Sequence, residues 1–186
     1  GDLHVRVTKK GKALESRSAK MERAVDECPG HDRVKRQPLT SFDSSALLKA
    51  IEIADADGRI KASMRGKYDQ VNEFLKVIDS VISEKPEKTL NIVDCGCGRA
   101  YLTLAVYFYL THVREFDVRV CGIDRKSDVI ATARKLAAGL DVAEHVTFIE
   151  GDIATSEPEF EPDLLLSLHA CATATDEALA RGVGGK

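Results

Sequence analysis

An α/β fold built on a doubly wound parallel sheet is predicted by three features of this 186-residue chain. From residue 67 onward, short apolar runs alternate with helical stretches that are apolar on one face or throughout. That order calls for crossover connections and a parallel sheet. Gly96 and Gly98 mark one strand-to-helix junction, where a glycine turn lets backbone approach a ligand. Asp94, Asp124 and Asp152 stand at or just past the ends of three successive strands, the edge at which open α/β sheets bind ligands.

Taken in order, Leu3, Val5 and Val7 alternate as in a strand, and Lys9-Lys10-Gly11-Lys12 reads as a turn. Leu14, Met21 and Val25 recur at roughly helical spacing, predicting a helix over 13–27 that Pro29-Gly30 ends. His31 to Arg36 is a polar loop leading to Pro38. A second helix is predicted over 44–53, with Asp43 or Ser44 as its cap. Asp55-Ala56-Asp57-Gly58 is a turn; it lacks the later ligands and closing Glu of a calcium loop. Val71, Phe74, Leu75, Ile78, Val81 and Ile82 share one face of a helix over 67–82, and Pro86 marks the break after it. Strands follow at 90–94, 118–124, 146–150 and 163–168, with helices at 100–113 and 126–140 between the first three.

Composition narrows the class. At 44% hydrophobic and 31% charged residues the chain reads as a soluble globular protein. Its longest apolar stretch, Leu102 to Leu110, contains Thr103 and is too short to span a bilayer. No signal-peptide core is present at the start, and the five cysteines form no regular framework, so reduced thiols and a cytoplasmic location are expected. The formal charge of −3 hides an asymmetry: residues 1–40 carry +4, residues 41–90 −1 and residues 91–186 −6. A basic front suits a polyanion such as RNA, and it equally suits a solvated arm.

The glycine turn departs from a dinucleotide fingerprint, because Tyr101 stands where the third glycine of G-x-G-x-x-G belongs. Asp94, two residues before Gly96, would repel a pyrophosphate but suits a ligand with a positive centre and an amino group. The alternative is a buried acid that caps the turn. Asp124 is placed to accept hydrogen bonds from ribose hydroxyls, which nicotinamide and other nucleoside ligands share. Asp152 is placed for an adenine amino group and Ile153 for its ring, although Gly151-Asp152 also reads as a simple turn.

These residues resemble the class I S-adenosylmethionine-dependent methyltransferases, over about Leu90 to Gly182. Val93-Asp94-Cys95-Gly96-Cys97-Gly98 is similar to the first family motif, Gly122-Ile123-Asp124 to the second and Glu150-Gly151-Asp152-Ile153 to the third. The resemblance implies S-adenosyl-L-methionine as cofactor. Asp94, Gly96 and Gly98 would hold its methionine moiety, Asp124 its ribose, and Asp152 with Ile153 its adenine. Lys67, Gln70, Cys95, Arg125, Gly151 and Leu168, which stand in or beside the matching segments, complete the expected cofactor-binding set.

Ser167 to Asp176 lacks the Asn/Asp-Pro-Pro-Tyr/Phe of many amino methyltransferases. His169, Cys171, Ala174, Thr175 and Asp176 instead resemble the His-x-Cys-Gly-x-Ala-Thr-Asp signature of eukaryotic tRNA ribose methyltransferases and related methyltransferase-like proteins, with Ala172 replacing the glycine. Lys67, Gln70 and Phe74 resemble the helix that opens the domain in that branch. His169 is the candidate catalytic residue, as general base or as a donor orienting the acceptor; a purely structural histidine is the alternative. Cys171 reads as a structural thiol. No metal site is expected, since Cys95 and Cys97 share a turn and Cys-x-Cys is not a zinc-knuckle spacing.

The resemblance implies a Rossmann-like sheet with strands in the order 3-2-1-4, the C-terminal strands of a seven-stranded fold being absent. Residues 67–186 would then be the N-terminal part of a methyltransferase domain truncated after strand four, and residues 1–66 a partly basic, α-rich appendage. Strand four, with Leu164, Leu165 and Leu166, would be an open edge able to pair with another copy. The expected partners are S-adenosylmethionine and, through residues 9–36, RNA; no membrane is expected.

Overall fold

A computed structural model describes residues 3–7, 13–17, 37–82, 84 and 86–167. The chain divides into two units, Gly1–Arg36 and Gln37–Lys186. In the first, β1 (Leu3–Val7) pairs antiparallel with β2 (Ala13–Arg17), Val5 opposite Glu15. The strand expected at the start is present. The helix expected over 13–27 is not, at least as far as Arg17: its three apolar residues spread over twelve positions make a thin face, and pairing with β1 satisfies the same backbone groups. The Lys9–Lys12 turn and residues 18–36 lie outside the described residues.

The second unit contains α1 (Ser45–Ala50), α2 (Arg65–Val81), β3 (Leu90–Cys95), α3 (Tyr101–His112), β4 (Val118–Asp124), α4 (Ser127–Gly139), β5 (Val146–Glu150) and β6 (Leu164–Leu166). All four strands run parallel in the order β5-β4-β3-β6, which is 3-2-1-4 counted within this sheet. β3 is central, with Asp94 facing Gly122 on one side and Leu166 on the other. It is buried on both faces. Ile92 joins the larger core with α2, α3 and α4, while Val93 and Cys95 join Cys121, Ile123 and Ile153 in a smaller one. Continuous apolar burial is what a parallel strand requires, and it is why the ends of β3, β4 and β5 fall within a residue of expectation.

α3 is apolar around its whole circumference and eight of its twelve residues are buried, as expected of a helix enclosed by neighbours. α2 buries Tyr68, Val71, Asn72, Leu75 and Ile78. Asn72 belongs there because it is satisfied: its Oδ1 accepts the Leu39 N–H and its Nδ2 donates to the Tyr68 carbonyl, both at 3.0 Å. Through that bond residues 37–64, grouped on sequence with the appendage, are sewn to α2, and Leu39, Leu47, Ile51 and Ile53 fill the larger core.

α1 is shorter than expected. Glu52 takes a left-handed φ of 60°, and the chain turns back through Asp55–Gly58 so that Ala54 bridges Ile60. Ser44 holds the N-cap position, its carbonyl accepting the Leu48 N–H at 2.8 Å, while Asp43 supplies the side-chain bond. The Asp43 carboxylate accepts the Ser45 N–H at 3.1 Å, while the Ser44 hydroxyl donates to the Leu39 carbonyl. β6 is also shorter than the predicted 163–168, and Leu168 lies outside the described residues. Asn91 and Asp163 exchange backbone and side-chain bonds of 2.8 and 3.0 Å beside it, which aligns β6 on β3.

Candidate functional site

The loop from β3 to α3 is shaped by alternating backbone handedness: φ is +80° at Gly96, +55° at Gly98 and +59° at Ala100. Glycine adopts this without cost, whereas Ala100 bears some strain. The curl turns the loop's N–H groups inward. Gly96 and Cys97 both donate to the Ile123 carbonyl, at 2.8 and 3.1 Å, and Ala100 donates to the Cys97 carbonyl at 3.0 Å. Gly98 donates to Asp124 Oδ2 at 3.0 Å. A pyrophosphate would need these donors; here a carbonyl and a carboxylate already hold them.

Two of the strand-end acids, Asp94 and Asp124, meet at this loop, and the third, Asp152, stands beside Arg125 at the ends of β4 and β5. Asp94 is 5% exposed, and its Oδ2 accepts the Thr103 hydroxyl at 2.6 Å. Burial raises its pKa from the ordinary 3.8 to about 6, against the Thr103 bond that lowers it and with a push from Asp124. Asp124 binds Gly98 N–H through Oδ2 and Lys126 N–H through Oδ1, each at 3.0 Å. It thereby joins two strand-to-helix corners. Asp152 accepts the Ala154 N–H at 3.0 Å and forms a 2.5 Å ion pair with Arg125. A carboxylate oxygen accepts more than one bond, so neither acid is closed to a ligand.

Beside the loop lies a cleft of about 250 Å³. Lys67 and Gln70 of α2 form one wall; Asp94, Gly96 and Gly98 form the floor and rim. These five were expected from sequence to act together. Cys97, Arg99 and Tyr101 also line it and were not foreseen. The only sequence signal for them is adjacency to the glycines, because their orientation follows from the left-handed residues on either side. The Lys67 ammonium sits 3.9 Å from the centroid of the Tyr101 ring. Burial and then the neighbouring Arg99 lower the Lys67 pKa. The Cys97 thiol is pushed far up by burial and by Asp94 and Asp124, so it is a neutral thiol rather than a nucleophile.

The remaining candidates are placed differently. Cys95 is fully buried and Ile153 is 5% exposed, both in the smaller core. Arg125 reaches Asp152 at the ends of β4 and β5, and the Gly151 N–H donates to the Asp124 carbonyl at 3.0 Å. A side chain at Gly151 would strike the Ser156 hydroxyl at 2.5 Å. His169, Leu168 and the rest of 168–186 lie outside the described residues. Among the described residues no cluster of three or more His, Cys, Asp or Glu is placed to hold a metal, and no helix is long and apolar enough to cross a membrane.

Comparison with known proteins gives one family match. The family model described as "Methyltransferase domain" matches residues 66–186. Among solved structures, E. coli YjhP is 24% identical with a TM-score of 0.44, covering 59% of this chain and 43% of its own. A SAM-dependent methyltransferase from Thiobacillus denitrificans in complex with S-adenosyl-L-homocysteine is 22% identical with a TM-score of 0.43, over the same shares. Its counterpart from Geobacter sulfurreducens, in complex with the same molecule, is 24% identical, again with a TM-score of 0.43, 59% of this chain and 43% of that one. The chain thus spans less than half the length of these structures.

Proposed function

Since the chain belongs to the methyltransferase-domain family, whose model takes in residues 66–186, we propose that it binds S-adenosyl-L-methionine at the β3–α3 loop and transfers its methyl group to RNA. The observation that carries the donor assignment is the chemistry of the loop. Its inward N–H groups are held by Ile123 and Asp124, and the cleft floor presents Asp94. At its floor such a site disfavours phosphate and suits a cationic group. When bound, S-adenosylmethionine supplies an electrophilic methyl on a sulfonium.

The chain's residues do the positioning. Asp94 would take the ammonium of the methionine moiety, Gly96 and Gly98 would let that moiety lie against backbone, and Lys67 with Gln70 would close the side formed by α2. Asp124 and Asp152 would take the ribose and adenine, with Arg125 holding Asp152 in place. His169 orients the acceptor or removes its proton. The RNA acceptor rests on the +4 charge of residues 1–40 and on the resemblance of residues 167–176 to tRNA ribose methyltransferases. A cytoplasmic location completes this reading.

The test has two stages. Calorimetry with S-adenosylhomocysteine should show the Asp94→Ala and Asp124→Ala variants binding about ten- to a hundredfold more weakly, the worth of a charge-assisted hydrogen bond. Unchanged affinity in both refutes the donor site. Radiolabelled donor with cellular RNA, protein and metabolite fractions then identifies the acceptor, and label in the RNA fraction is the expected result. No label in any fraction would leave a donor-binding module without turnover.

A further inference from the structure

We propose that Arg99, set beside Lys67 by the Tyr101 ring, is a receptor for a phosphate group on the molecule to be methylated. The inference rests on the donor reading of the cleft. It starts from two cations that line one cleft. Arg59, Lys76, Lys88, Arg114 and Arg125 each reach a carboxylate. Lys67 and Arg99 line the same cleft, close enough that Arg99 lowers the Lys67 pKa; among the described residues neither forms an ion pair, and Glu52 and Asp128 act on Arg99 without pairing with it. Both lean on Tyr101 instead: Lys67 over its face at 3.9 Å, Arg99 through a side-chain hydrogen bond that raises the guanidinium pKa. Two like charges held beside one tyrosine, one over its ring and one at its hydroxyl, are stabilised by an incoming anion.

The two cations differ in access, which divides their work. Lys67 is partly buried on the α2 wall, within reach of a small ligand lying on the floor formed by Asp94 and Gly96. One ammonium suffices for the single carboxylate of the donor. Arg99 is exposed, and its planar fork faces what arrives from solvent. A guanidinium so placed matches two oxygens of one phosphate. Tyr101 holds the fork at the rim and lowers the ordering cost of binding.

The experiment uses the intact chain saturated with S-adenosylhomocysteine and titrated with inorganic phosphate, followed by phosphorus NMR. Arg99→Gln should weaken phosphate binding about tenfold or more, while S-adenosylhomocysteine affinity moves less than about threefold. Arg99→Lys should recover only part of the phosphate affinity, since the charge returns without the fork. Three results overturn the assignment: no phosphate binding by the unmodified chain, equal binding by Arg99→Gln, or a loss of S-adenosylhomocysteine affinity in Arg99→Gln as large as the loss for phosphate. The last would assign Arg99 to the donor carboxylate. If the unmodified chain binds phosphate through Arg99 but no S-adenosylhomocysteine, the donor reading fails, and with it the assignment of that phosphate to a methyl acceptor.

Discussion

Asp94 occupies a position that costs the fold stability at neutral pH. It is buried beneath the loop with one hydroxyl as neutral partner, and its pKa rises from 3.8 to about 6. An acid raised on folding binds more protons folded than unfolded between those two values, so stability falls as pH rises through that window and stays lower above it. Asp94→Asn keeps an acceptor for Thr103 and removes the buried charge. At pH 7 it should unfold at higher urea concentration, by about 1–3 kcal/mol, with that pH decline flattened. Its affinity for S-adenosylhomocysteine should drop, and should drop in the unmodified chain as well once pH falls below about 6. Asp94 was legible in the sequence because an acid ahead of a glycine turn is unusual chemistry for a nucleotide site. Arg99 and Tyr101 were not, since their meeting with Lys67 depends on how α2 docks against the loop.

Among elements, β4 and the glycine loop are fitted to each other at Gly122. A Cβ there would fall 2.7 Å from the Phe148 ring and 2.9 Å from Cys97 Sγ. Gly122→Ala should therefore cost about 1–3 kcal/mol by overpacking, seen as a lower urea midpoint, and should weaken donor binding by displacing Cys97 and the loop. Adding Phe148→Leu should restore part of the stability. Strand positions were legible because buried parallel strands are short, apolar and bounded by turns. The segment at Ala13–Arg17 was misread as helix because its few apolar residues suit either period, and only its partner Leu3–Val7 decides. The early end of α1 was hidden too, since Glu52 carries no sequence sign of its left-handed backbone.

At the scale of the whole molecule, the charge asymmetry leads to a prediction about binding. If Lys9, Lys10, Lys12, Arg33, Lys35 and Arg36 track an RNA backbone, six contacts to a single strand give a log–log salt slope near about −4. Neutralising Lys35 and Arg36 should reduce that slope by about one to two units in filter-binding assays, and RNA binding no better than that of an acidic control at low salt would rule the contact out. The sheet order was legible at this scale because a family resemblance fixes topology along with motifs. The register of β6 was not, since it depends on the pairing of Asn91 with Asp163, 72 residues away.

That separation also has a consequence in time. β3 receives β4 as its neighbour soon after leaving the ribosome, but its other flank stays bare until Leu164–Leu166 emerge. At about 5–20 residues per second, 72 residues correspond to roughly 4–14 s. For that interval a nascent chain exposes the backbone of Ile92, Val93 and Asp94, the last of them a buried acid in the folded protein. The speed of translation between β3 and β6 thus sets how long that strand can be captured by a neighbouring chain or a chaperone.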